Sequence, residues 1–100
     1  MMISYVLVDV TNIPSVAGQN IFPNNIYIPF GGSLLIEVSI QNTDNFYIIK
    51  NGNLMVTNEN QTLVANQLYE FSVMAIKGDS LNFRTGSNNI VSIRVVLNVT

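Results

Sequence analysis

Two-residue alternation of apolar and polar side chains, interrupted at short intervals by Gly- and Asn-containing turns, most limits what this chain can fold into. Leu34, Ile36, Val38 and Ile40 point one way while Leu35, Glu37 and Ser39 point the other. Tyr69, Phe71 and Val73 alternate with Glu70, Ser72 and Met74, and Leu81 and Phe83 with Asn82 and Arg84. Near the end Val91, Ile93, Val95, Leu97 and Val99 oppose Ser92, Arg94, Val96 and Asn98. Side chains in a strand alternate between the two faces of a sheet, so each segment reads as a strand with one buried face. No segment offers a helical period with caps; the best, Thr62 to Leu68, is too short and holds Asn66.

The punctuation agrees with this reading. Gly31-Gly32 separates a strand over Ile26–Phe30 from one over Ser33–Ile40. Asn51-Gly52 lies between Phe46–Lys50 and Asn53–Thr57, and both residues accept the positive φ of a type I′ hairpin turn. Lys77-Gly78-Asp79 divides Leu68–Ile76 from Ser80–Arg84, and Thr85 to Asn89 leads into the last strand. The first strand is read over the N-terminal ten residues, and Thr11 to Asn25 as irregular with a short strand at Ile21-Phe22. About eight short, closely spaced strands imply a sandwich or barrel. The expectation is one all-β domain over residues 1–100, an antiparallel β-sandwich, with no internal repeat, linker or low-complexity tract.

One hundred residues suffice for one core and no second lobe. The apolar share of 48% is ordinary, whereas the charged share of 10% is far below the usual roughly 25%. Uncharged polar residues replace the missing charge, fifteen of them Asn. With four cations, six carboxylates and a net charge of −2, little keeps copies apart. Either neighbours in an assembly cover this exterior or the protein tolerates a neutral surface; the first is favoured because uncovered neutral β surfaces associate. Four scattered cations do not make the basic stripe that nucleic acid requires. No apolar run approaches the roughly 18 residues of a membrane span. The N-terminus lacks a basic leader and Asp9 interrupts its apolar run, so it reads as a strand rather than a signal peptide. Two glycosylation sequons, Asn60-Gln61-Thr62 and Asn98-Val99-Thr100, are about what this Asn content yields by chance.

From Phe30 onward the parts follow a recognisable order: Pro29-Phe30-Gly31-Gly32-Ser33-Leu34-Leu35-Ile36-Glu37-Val38, then Phe46 to Gly52, Leu68 to Val73, Lys77-Gly78-Asp79-Ser80-Leu81-Asn82-Phe83-Arg84 and Ile93 to Val96. This cadence resembles the small single jelly-roll structural proteins of tailless icosahedral viruses of bacteria and archaea, which form vertices (pentons) or decorate capsids. The resemblance implies a single jelly roll in a virion, made in the host cytoplasm, and it supplies no catalytic residues.

The chain has no His and no Cys. Zinc, copper and non-haem iron sites, Ser-His-Asp triads and Cys-His dyads need one or both, so no metal, cofactor or enzymatic role is expected. Paired-carboxylate glycoside hydrolysis could formally draw on Glu37, Asp44, Glu59, Glu70 or Asp79, but Glu37 and Glu70 hold outward strand positions where solvated carboxylates belong. Asp79, after Gly78, suits a turn cap better than a calcium site, because no second carboxylate is close in sequence.

Six residues emerge as a candidate interface. Leu35 and Val96 are apolar on the polar registers of their strands, where the domain's own core does not explain them. Tyr27 and Tyr47 fall opposite the expected buried sets Ile26/Ile28/Phe30 and Phe46/Ile48, for packing between subunits or for stacking on a sugar. Arg84 and Arg94 project from the same outward registers, to pair with Glu37 or Glu70 or with a neighbouring subunit. The leading expectation is a non-enzymatic virion component assembling with copies of itself and with other capsid proteins. The alternative is a recognition module: a spike or fibre tip, or a carbohydrate-binding domain.

Overall fold

The computed structural model describes residues 3–55 and 61–99. The alternating segments form nine strands: β1 (Ile3–Ser15), β2 (Ile26–Tyr27), β3 (Gly32–Ile40), β4 (Asp44–Lys50), β5 (Asn53–Leu54), β6 (Gln61–Leu63), β7 (Tyr69–Ala75), β8 (Ser80–Thr85) and β9 (Asn89–Val99). They make two antiparallel sheets, one ordered β1-β9-β3-β7 and the other β2-β8-β4-β5, with β6 also on β4. Four pairings nest around β5: β1 with β9, β2 with β8, β3 with β7, and β4 with β6. A long hairpin is thus wrapped on itself, and β3·β9 and β4·β8 close the wrap within each sheet. That strand order is a jelly roll, in which the chain crosses repeatedly between two packed sheets.

The inner faces are those the alternation assigns. Leu34, Ile36, Val38 and Ile40 of β3 and Val91, Ile93, Val95 and Leu97 of β9 are buried against Phe46 and Ile48 of β4 and Leu81 and Phe83 of β8. Phe46 bridges the layers, its ring 5.6 Å from Phe83 in its own sheet and 6.4 Å from Phe71 in the other. Phe71 and Phe83 lie on strands consecutive in the chain but in opposite sheets, and Phe46 is the ring that both approach. Full burial of a side chain this large contributes roughly 1.5–3 kcal/mol.

The turn reading at Asn51-Gly52 is correct: φ is 53° and 80° at the two residues, and β4 returns directly as β5. Gly32 has a different reason. It is the first residue of β3 rather than a turn residue, and a Cβ there would run into the Asn98 carbonyl of β9.

Three expectations change. β1 does not stop at Val10: it continues to Ser15 through irregularities at Val6/Val8 and Val10/Ile13, with Asn12 at φ 52°. The bulges shift the apolar period by one residue, which reads locally as the end of a strand. Ile21-Phe22 is not a strand, although the Ile21 N–H donates to the Phe83 carbonyl (2.8 Å) and the stretch lies along β8. β2 ends at Tyr27, and Ile28 bonds instead to the turn at Gly78 and Asp79; Phe30, expected inside, is exposed and packs at a tilt against Tyr5, ring centroids 5.6 Å apart. The end of the strand read over Asn53–Thr57, Glu59, and parts of both sequons (Asn60 and Thr100) lie outside the described residues.

Candidate functional site

Because β9 lies inside its sheet, its outward residues are flanked on both sides, and the register lines them up in rows. Val6, Val96, Leu35 and Ser72 form one row, and Asp9, Arg94, Glu37 and Glu70 the next. Leu35, Val96 and Arg94 therefore share one outer face, with Leu35 directly opposite Val96. Only Val96 differs from the expectation. Val96 is only 7% exposed, covered by its own chain, while Val6 beside it is 55% exposed. Arg94 takes the first of its expected partners: its Nη1 donates to Glu37 Oε1 (2.9 Å), and its Nε lies 3.9 Å from Asp9 Oδ2. Arg94 is thus paired within the domain, the row keeps a net negative charge from its three carboxylates, and the apolar row next to it remains open at Val6.

The other sheet carries Tyr47 and Arg84 opposite each other on its outer face. Arg84 Nε donates to Asn20 Oδ1 (2.8 Å), which fixes the guanidinium over an open depression of about 260 Å³ lined by Gly18, Tyr47, Leu54, Arg84, Thr85 and Gly86. Tyr27 is exposed on β2 but separated from Tyr47 by β8, so the two form no common platform. Tyr69 is part of the packing, as its alternation with Phe71 implies, and its hydroxyl accepts the Val64 N–H (2.9 Å).

Asp79 caps its turn. Oδ2 accepts the Ile76 N–H (3.0 Å), Oδ1 accepts Asn51 Nδ2 (2.9 Å), and Lys50 Nζ is 3.5 Å from Oδ2. The Asn51 hydrogen bond first, then the Ile76 amide and the nearby Lys50 charge, hold its carboxyl below the ordinary carboxylate range despite burial. Asn51 Oδ1 also accepts the Ser80 N–H, so one carboxylate and one amide tie the β4–β5 turn to the β7–β8 turn. Asp44 does the same at the opposite end. Burial raises its carboxyl, but the Ser87 amide and hydroxyl and the Asn45 amide outweigh that and lower it.

The buried polar residues serve the same purpose. Asn82 accepts the Phe22 N–H and donates to the Phe22 carbonyl and Asn25, holding the irregular stretch against β8. Asn89 accepts the Asn42 N–H and donates to the Asn42 carbonyl, holding the β3–β4 turn. Much of the Asn content therefore works inside the domain, as substitute backbone partners for turns that no strand satisfies.

Sequence reasoning missed Leu68, Met74 and Ile76. Met74 shares the outward register of Glu70 and Ser72 in β7, Leu68 and Ile76 continue that alternation just beyond its two ends, and the three are 71, 64 and 69% exposed. The signal was present, since they are large apolar residues out of step with the buried Val73 and Ala75.

The chain matches no protein-family model, and no curated protein is similar to it in sequence.

Proposed function

We propose that this chain is a non-enzymatic structural component of a virion, a jelly-roll subunit that joins copies of itself and other capsid proteins through its outer surfaces. One observation carries the assembly part: a single outer face exposes Val6, Leu68 and Met74, while its one cation, Arg94, is already paired with Glu37 and Asp9. Large apolar residues left in water on one face favour association. The virion context rests on the jelly-roll strand order together with the cadence of Phe30 to Val96.

Val6→Asp and Leu35→Asp test it. Both sit on the outer row, and a desolvated carboxylate at a subunit contact costs several kcal/mol, on the order of a hundredfold or more in association. Sedimentation at micromolar concentration, alone and with the other particle proteins, should show a wild-type assembly that both variants lose while keeping the β circular-dichroism signal. Val96→Asp does not discriminate, because at 7% exposure it would bury an unpaired charge in the monomer. If wild type and both variants run as one folded monomer and join the other particle proteins equally, the proposal fails.

The second reading, a recognition module, is favoured by the depression at Tyr47 and Arg84, an aromatic face beside a fixed cation. Glycan-array binding that Tyr47→Ala abolishes would support it over assembly.

A further inference from the structure

Each sheet has two edges, and three of the four are guarded. β1 carries two irregularities, Asn12 at φ 52°, and Pro14. β2 is two residues long, and β5 and β6 are short pieces sharing one side of β4. Bulges, proline and brevity are the usual means of keeping an edge from adding another strand. Among the described residues β7 has none of these three, and the one side chain that reaches its open edge is Lys50, whose Nζ donates to the Met74 carbonyl. β7 is a seven-residue strand at the end of its sheet, its register with β3 runs from Ala75 to Tyr69 without a shift, and Glu70 is its one charge.

The direction of its backbone groups follows from two contacts. The Met74 carbonyl accepts Lys50 Nζ (3.1 Å) from the other sheet, and the Ala75 carbonyl faces Gly31 at the start of β3. Alternate residues of an edge strand turn their N–H and C=O outward, so in β7 these are Glu70, Ser72 and Met74. Ser72 is the midpoint of Tyr69–Ala75.

We propose that β7 pairs antiparallel with β7 of a second copy, about a twofold axis at Ser72, joining two four-stranded sheets into one continuous sheet. This deepens the assembly reading and rests on it. The centred register overlaps the whole strand and hydrogen-bonds the outward backbone groups of Glu70 and Ser72, while the Met74 carbonyl is shared with Lys50 Nζ. It sets Leu68 opposite Ile76 of the partner subunit, so two of the most exposed apolar side chains cover each other in both halves. Glu70 falls opposite Met74 of the partner subunit, with no like charges directly opposed. A twofold contact must be self-complementary, and the spacing of Leu68, Glu70, Met74 and Ile76 around Ser72 meets that condition.

The chain has no cysteine, so a single introduced one is an unambiguous reporter. Directly opposed residues of a hydrogen-bonded antiparallel pair have Cα atoms about 5.5 Å apart, within the roughly 4.4–6.8 Å that a disulfide spans. Ser72→Cys should form a linked dimer under mild oxidation, and Ser39→Cys, on the same outer face but in β3, should not. Met74→Glu sets carboxylates against Glu70 of the partner subunit twice and should weaken the dimer on the order of tenfold. Adding Glu70→Lys should restore it, which an unrelated register would not do. If the wild type self-associates but Ser72→Cys links no faster than Ser39→Cys, or Met74→Glu has no effect, the β7 pairing is overturned and the assembly reading stands. A wild type that stays monomeric also overturns the pairing, as does linkage of Ser72→Cys only to a different particle protein. The assembly reading falls with it only if the chain also fails to join the other particle proteins.

Discussion

The two sheets are held together by different means. The sheet of β1, β9, β3 and β7 has strands of seven to thirteen residues paired along nearly their whole length. The other sheet has β2, β5 and β6 at two to three residues, and much of its edge consists of turns fixed by side chains. Asn82, Asp44 and Asp79 supply there what a backbone ladder supplies in the first sheet. The difference shows where the neutral polar composition goes. A chain that bonds its turns with Asn and Asp carries little charge on its surface whether or not neighbours cover it. The case for assembly therefore rests on the exposed apolar residues of β1 and β7 and gains little from composition.

The largest expected effect asks whether two sheets so differently built still unfold together. Phe83→Ala removes a fully buried ring that touches Phe46 and Phe22 and should cost about 3–5 kcal/mol. Phe71→Ala should cost less, because that ring is only half-buried. Thermal unfolding followed by circular dichroism should show one transition, lowered most by Phe83→Ala. Two separated transitions would mean the sheets are independent and the core is not shared as described.

A smaller effect sharpens the contrast between ladder and side-chain tie. Asn82→Ala strips partners from the Phe22 N–H and carbonyl, a loss of about 1–3 kcal/mol. Ser39→Ala, outward on the ladder-built sheet, should stay within about 0.5 kcal/mol of wild type. In hydrogen exchange the Ile21 amide, bonded to Phe83, should lose protection in Asn82→Ala before the amides of β3 do. Equal loss in both places would remove the distinction.

The smallest effect is acid sensitivity. Asp44 and Asp79 have folded pKa values below the unfolded value of about 3.9, so they stabilise the fold fully above that range. Their contribution declines as pH falls through the depressed folded values, and it does not change between neutral and mildly alkaline pH. Protonation should loosen the turns at Ser87 and Ile76 first. An Asp44→Asn/Asp79→Asn variant should be less stable than wild type at pH 7 and lose less stability on acidification. An unchanged acid response would show that other groups govern it.

Alternation and turn chemistry alone determined that the chain is a β-sandwich, which residues of β3, β4, β8 and β9 line the two inner faces, and that Asn51-Gly52 closes a hairpin. These are local properties: the period of side chains along a strand and the φ preference of two adjacent residues. Strand order, the burial of Val96, the exposure of Phe30 and the continuation of β1 past its bulges were decided by pairings between distant segments. Ser4 meets Asn98 across nearly the full length of the chain, and that register places Val6 and Leu35 on either side of Val96. Tertiary structure likewise decided which edge is left open. A strand's own sequence sets the faces its side chains occupy, whereas its neighbours determine whether its backbone groups have partners.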